Sequence, residues 1–323
     1  MALEDTIRRF GEQFSWEPVV ERSESLRPRT NTIVCGMGGS HLGPWIVKRY
    51  GSVPTMYIHR DYGLPVLPPT VHADALVILS SYSGGTEEIL DAGKEALARG
   101  LPIAVVTTGG ALLEFAREHA LPSVTLPQLG LEPRMAVGLS MLAVAHIMGN
   151  TELEAAIRAA GSGVDAAAFE TEGRRLGSLL TQKIPVIYAS TANTPLAYFW
   201  KINFNETSKI PAFCNVFPEM NHNELSGYDV VDSTRPLSTN IHALFLQDVN
   251  DHVRIQKRMQ VAGEVLEEHG TRVERIPLAG DGFTKAFSSL VLASWTSLQL
   301  AQTYGVPNPE TPLIAEFKKR ILL

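Results

Sequence analysis

Two turns in the first half of the chain carry the groups best suited to holding an anion. The first is Cys35-Gly36-Met37-Gly38-Gly39-Ser40, followed by His41-Leu42-Gly43. Glycines between a strand and a helix let the backbone come close to an anion and aim N–H groups at it. A dinucleotide fingerprint would need glycine where His41 stands, and a Walker loop would need Gly-Lys-Ser/Thr, so both nucleotide readings fail. The second turn, Ser80-Ser81-Tyr82-Ser83-Gly84-Gly85-Thr86-Glu87-Glu88, offers hydroxyls. With the amides of a following helix they form a pocket that fits a phosphate monoester without a basic side chain. The plainer alternative is that Ser83 or Thr86 only caps the helix, with Glu87 and Glu88 complementing its dipole.

Gly38-Gly39-Ser40 after the first strand, paired with Ser-x-Ser-Gly-x-Thr-x-Glu from Ser81 to Glu88 after the third, resembles the sugar isomerase (SIS) domain, a phosphosugar-binding α/β module. Two segments of the second half narrow the resemblance. These are Phe204-Asn205-Glu206-Thr207-Ser208-Lys209-Ile210-Pro211-Ala212-Phe213 and Asn215-Val216-Phe217-Pro218-Glu219-Met220-Asn221-His222-Asn223-Glu224-Leu225-Ser226-Gly227-Tyr228. Over essentially its whole length the chain resembles the bifunctional phosphoglucose/phosphomannose isomerases of archaea and bacteria. The activity this implies is interconversion of glucose 6-phosphate, fructose 6-phosphate and mannose 6-phosphate, with no cofactor. Gly39, Ser40, Ser81, Ser83 and Thr86 would grip the phosphate.

Aldose–ketose isomerisation needs a base to carry a proton between C1 and C2 through an enediolate, a group to open the sugar ring, and a donor to hold the developing oxyanion. Glu206, His222 and Arg134 suit those roles. Glu206 ends a helix with an apolar face of Leu196, Phe199, Trp200, Ile202 and Phe204, which predicts a partly desolvated carboxylate with a raised pKa. His222, between two asparagines, could take and return the hydroxyl proton that opens the ring. Arg134 lies in a Pro-Arg turn where the family places an arginine near the enediolate. The family pattern continues with small residues and an aromatic, and Met135 and Leu139 depart from it. Near the C-terminus, Pro309 to Lys318 resembles the family's closing helix. The resemblance gives Lys318, with Lys319 as its neighbour and rival, a part in ring opening, and makes Thr311 the determinant of mannose 6-phosphate acceptance. It also implies a homodimer with the active site between domains and at the subunit interface, where His222 arrives from the neighbouring subunit.

The elements that must position these residues are legible in the hydropathy pattern. Val- and Ile-rich runs at 32–36, 55–59, 75–80, 102–108 and 122–126 alternate with helical segments 42–50, 86–99, 111–118 and 137–149. After a Gly-containing stretch at 149–163 the same alternation resumes: helix 164–182, strand 184–190, helix 194–208, strand 211–216, helix 219–226, strand 241–246, helix 250–268, strand 272–278, helix 283–304 and a last helix over 311–322. Such alternation predicts two tandem SIS-type α/β sandwich domains, each a mainly parallel sheet flanked by helices, with boundaries at 1–152 and 153–323.

Composition narrows the alternatives. Apolar residues make up 45% of 323 and charged ones 19%, which excludes extended disorder. With 28 Lys+Arg against 34 Asp+Glu and no basic stripe, no nucleic-acid partner is expected. No apolar run reaches the ~20 residues needed to cross a bilayer, and the acidic N-terminus does not read as a secretion signal, so no membrane partner is expected. Two cysteines, Cys35 and Cys214, suit a reducing cytoplasm. His41, His59, His72, His119, His146, His242, His252 and His269 show no metal-ligand spacing, so no metal is expected. His222-Asn223-Glu224 matches half of a zinc deaminase signature, but the Pro-Cys-x-x-Cys half is missing. Tyr198, Phe199 and Trp200 read as core. The remaining alternatives are an isomerase of another phosphosugar or a non-catalytic sugar-phosphate-binding SIS protein.

Overall fold

The computed structural model describes residues 3–306 and 311–321. Ten strands form two sheets: β1 (Val20–Glu21), β2 (Asn31–Gly36), β3 (Thr55–His59), β4 (Ala75–Ser81), β5 (Ile103–Thr107), β6 (Ser123–Thr125), β7 (Ile184–Ser190), β8 (Phe213–Phe217), β9 (Ile241–Gln247) and β10 (Arg272–Pro277). The first sheet has the order β1-β6-β5-β4-β2-β3 and the second β10-β9-β7-β8. All pairings are parallel except that of the two-residue β1 with β6. The chain divides into two compact units, one built from Arg9–Val164 with Gly282–Thr284, the other from Asp165–Asp281, the helix Leu3–Arg8 and the described residues from Lys285 onward.

In the first unit β4 is buried along its whole length, as a parallel strand covered on both faces must be. Ile33, Cys35, Val77, Leu79, Ile103 and Val105 pack with helices Glu87–Ala98 and Gly110–Glu118 through Ile89, Ala92 and Leu112. In the second unit Val186, Tyr188, Phe217, Ala243 and Phe245 pack with helix Val253–Glu268 through Met259, Ala262 and Leu266.

Apart from the two-residue β1, which the pattern does not show, the strands lie where periodicity places them, whereas several helices depart from it. The stretch 149–163 is itself helical over Thr151–Ser162, started by Asn150, whose side chain accepts from the Leu153 N–H. The segment 164–182 resolves into a 3₁₀ turn, Ala166–Phe169, and a shorter helix, Glu170–Leu179. Asp165 caps that turn by accepting from the Ala167 N–H, so the chain enters the helix later than its apolar spacing suggests. Residues 219–226 form no α-helix but two 3₁₀ turns, Glu219–Asn221 and Glu224–Tyr228. Asn221 and Asn223 lie there, a residue type whose side chain competes with the helical backbone. The helix expected over 194–208 is α only to Asn203 and then widens into a π turn, Phe204–Ser208. The helix Leu3–Arg8 was not legible; Arg8 pairs with Glu170 at 2.5 Å and lies over the Trp295 ring.

Candidate active site

In the first sheet the chain order reverses between β2 and β4, which are direct neighbours with Gly36 opposite Ser80. Parallel α/β sheets bind ligands at this kind of switch point, outside the carboxyl ends of the strands. Both turns singled out in the sequence lie there. Ser40 Oγ accepts from the Tyr82 N–H at 2.9 Å, and Ser80 Oγ donates to the Ser40 carbonyl at 3.0 Å, so the two turns form one hydrogen-bonded unit.

Within the second turn, the Ser81 and Thr86 hydroxyls bond each other at 2.7 Å, and Ser81 Oγ accepts from the Gly84 N–H at 3.1 Å. Thr86 occupies the N-cap of helix Glu87–Ala98, but its side chain makes no capping bond. The plain capping role is therefore not realised, and Ser83 lies on the exposed surface of the turn. Gly84 has φ +70, and a Cβ there would lie 1.8 Å from the Gly109 carbonyl oxygen. The turn after β5 buttresses it: Thr108 Oγ1 donates to the Tyr82 carbonyl at 2.7 Å, and Thr107 Oγ1 to the Gly109 carbonyl at 2.8 Å. Sequence reasoning missed this third turn, although Thr107-Thr108-Gly109-Gly110 after a strand is a visible signal.

Arg134 lies in a 3₁₀ turn, Pro133–Met135, that opens the almost wholly buried helix Val137–Ile147. It is 1% exposed, not the surface arginine its type suggests, and its guanidinium stands 3.6 Å from the Glu132 carboxylate. Gly39 explains its position. A Cβ at Gly39 would fall 2.6 Å from the Arg134 backbone nitrogen, so the glycine admits the arginine turn to the cradle. Met135 and Leu139, the two departures from the family pattern, are both buried in the core. His41, next in the chain, is wholly buried; burial, followed by the charge of Arg60, lowers its imidazole pKa to about 3.

In the second unit Glu206 sits half-buried within the π turn, and Lys209, in the left-handed region at φ 56, ends it. Four bonds shape this turn. Asn203 Nδ2 donates to the Phe199 carbonyl, Asn205 Nδ2 to the Ile210 carbonyl, Lys209 Nζ to the Glu206 carbonyl and Ser208 Oγ to the Ser297 carbonyl, all between 2.7 and 3.0 Å. π turns of this kind cluster at functional sites. Below it, Phe199 and Trp200 are core residues and Tyr198 is half-buried. His222 is exposed between the two 3₁₀ turns.

Thr311 and Lys318 lie at the last helix of the second unit. The helix Pro312–Ile321 has no buried residue, Lys318 and Lys319 are both exposed on it, and Thr311 stands ahead of it with its carbonyl accepting from the Ala315 N–H. Pro309 and Glu310, part of the same motif, lie outside the described residues. Among the described residues no three of His, Cys, Asp and Glu gather as metal ligands.

Residues 169–321 match the family described as bacterial phospho-glucose isomerase C-terminal SIS domain. A bifunctional phosphoglucose/phosphomannose isomerase of Aquifex aeolicus is 32% identical over 325 residues, covering 98% of this chain and 97% of that protein. The chain belongs to the bifunctional phosphoglucose/phosphomannose isomerase family. A second member, from Caldicellulosiruptor bescii, is 32% identical over 87% of the chain and 86% of its own length. The fold also matches solved structures more distant than this family. Tagatose-6-phosphate ketose/aldose isomerase from Escherichia coli superposes with a TM-score of 0.62 at 15% identity, covering 96% of this chain and 95% of its own. The C-terminal domain of glucosamine-fructose-6-phosphate aminotransferase from Francisella tularensis gives 0.66 at 13% identity, covering 94% and 96%.

Proposed function

We infer that the protein is an aldose–ketose isomerase that interconverts glucose 6-phosphate and fructose 6-phosphate, and mannose 6-phosphate as well. The observation that carries this is full-length kinship with bifunctional phosphoglucose/phosphomannose isomerases. The joined turns after β2 and β4 support a phosphate seat: they supply hydroxyls, backbone amides and an uncapped helix N-terminus. On this reading Gly39, Ser40, Ser81, Ser83 and Thr86 hold the phosphate. Glu206 removes the proton from C2 of the open-chain aldose and returns it to C1, while the hydroxyl proton passes from O2 to O1, so atoms and charge balance through a cis-enediol(ate). Arg134 stabilises the enediolate oxygen. His222 and Lys318 serve ring opening, and Thr311 admits the mannose epimer.

The assembly we propose is a homodimer in which the exposed His222 completes the neighbouring subunit's site. We also place the protein in a reducing cytoplasm, which a chain of only two cysteines suits, and no described helix is long and apolar enough to cross a membrane.

One relative supports a second reading. A D-glucosamine-6-phosphate 4-epimerase of Sulfolobus acidocaldarius is 31% identical over 60% of the chain and 62% of its own length. The test is conversion of fructose 6-phosphate, resolving both aldose products, beside glucosamine 6-phosphate. Both aldoses should form, and Glu206→Gln should lower turnover roughly a thousand-fold. Glucose 6-phosphate alone would remove the role of Thr311, and turnover of the amino sugar only would establish the second reading.

A further inference from the structure

Glu224 follows His222 by two residues, and both of its carboxylate oxygens are engaged. Tyr188 on β7 and Asn215 on β8 are register partners across parallel strands. The Tyr188 hydroxyl donates to Glu224 Oε1 at 2.5 Å, and Asn215 Nδ2 donates to Oε2. Asn215 cannot turn over without loss, because its Oδ1 accepts from the Val216 N–H at 2.8 Å. The Tyr188 and Tyr228 hydroxyls bond each other at 2.7 Å. Burial, with Tyr228 and Glu224 close by, pushes the Tyr188 phenol far above its ordinary range, so it remains a protonated donor.

Besides these bonds, the neighbouring Leu225 packs against the core of the second sheet. Met220 and Tyr228 are buried at its two ends, while His222 and Asn223 are exposed. On another side the segment borders a cleft of about 300 Å³ lined by Asn221, Leu225, Ser226, Val265 and His269. The Asn223 side chain bonds only within the segment, donating to Glu219 Oε1 at 2.7 Å.

We propose that Glu224 is a positioning residue for His222: its carboxylate, held by Tyr188 and Asn215, fixes the turn that presents the imidazole. The proposal rests on the reading of His222 as the ring-opening group. Glu224 acts through hydrogen bonds and not through proton transfer, so glutamine is a conservative replacement. Its carbonyl oxygen keeps the Asn215 bond, and its amide can face the Tyr188 hydroxyl, which then donates to Tyr228.

The experiment compares kcat/KM for fructose 6-phosphate in Glu224→Ala and Glu224→Gln, each alone and combined with His222→Ala, with thermal melts of every variant. Glu224→Ala should lower kcat/KM about ten-fold or more in the wild-type background and less than about two-fold beside His222→Ala, because residues acting as one unit are not additive. Glu224→Gln should stay within about three-fold of wild type, since it retains both hydrogen bonds. Should Glu224→Ala fail to fold, Tyr188→Phe, which removes one donor and keeps the ring, should show the same non-additivity at smaller size. An impaired His222→Ala with an undiminished further loss from Glu224→Ala overturns the positioning role alone. Glutamine as damaging as alanine would overturn it in favour of proton chemistry at Glu224. A His222→Ala variant with wild-type turnover overturns the reading of His222, and the route from Glu224 through it falls too.

Discussion

His41 shows how burial turns a residue type into a pH response. The unfolded imidazole takes up a proton below about pH 6.5, while the folded one resists protonation until about pH 3. Stability therefore falls as pH drops through that window, by about 1.4 kcal/mol per unit and so about 2 kcal/mol by pH 5. Thermal melts at pH 7 and pH 5 should show this fall, and His41→Asn should flatten it; the same fall in both proteins would show that the response arises elsewhere. Sequence marks His41 only as the residue that spoils a dinucleotide fingerprint. Its burial beneath the glycine turn depends on packing that no local pattern records. Arg134 makes the same point from the other side, since a Pro-Arg turn gives no sign that its guanidinium lies inside the unit.

At the scale of elements, the glycine and serine turns were legible because their spacing follows a strand directly, where few residue types tolerate the geometry. Their joining was not, since Ser40 and Tyr82 meet only after β2 and β4 pair. Gly84→Ala should place a methyl group against the Gly109 carbonyl at a left-handed φ, costing about 2–4 kcal/mol of stability by strain and displacement of the turn. Chemical denaturation measures the loss, and a change below about 0.5 kcal/mol would mean that the turn after β5 moves freely. Gly39→Ala pushes instead on the Arg134 turn and should lower isomerase activity more than stability. The π turn at Glu206 escaped the sequence reading because the apolar face of the preceding helix runs through Phe204 without a break. The Asn203, Asn205 and Ser208 hydrogen bonds, two of them local and one to Ser297, decide the widening.

At the scale of the whole molecule, the second sheet has its own reversal of strand order, between β7 and β9, and the chain fills it with its own side chains. Lys285 Nζ bonds both oxygens of Asp248 at 2.8 Å, and Asn193 Nδ2 donates to Asp248 and to Ser190 Oγ at 3.0 Å, all buried. Lys285→Met leaves a buried carboxylate uncompensated and should cost about 3–5 kcal/mol, and adding Asp248→Asn should recover part of it. A double variant no more stable than the single one would show that the ammonium is needed for more than neutralising Asp248. The proposed dimer predicts complementation. Mixed subunits carrying Glu206→Gln and His222→Ala should regain about a quarter of wild-type activity, because half of randomly formed dimers hold one intact site of two. Mixtures no more active than their components would place Glu206 and His222 of one chain in the same site.

Sequence by itself determined the alternation of strands and helices, the parallel sheets, and the family to which the chain belongs. These depend on periodicity and on short motifs whose residue types are fixed by local chemistry. Only the tertiary structure decided that the Ser40 and Ser81 turns form one hydrogen-bonded unit, that Gly39 admits Arg134, and that Glu224 joins Tyr188 to Asn215. Each of these pairs residues brought together by strand order or by close packing, and neither distance leaves a periodic trace along the chain.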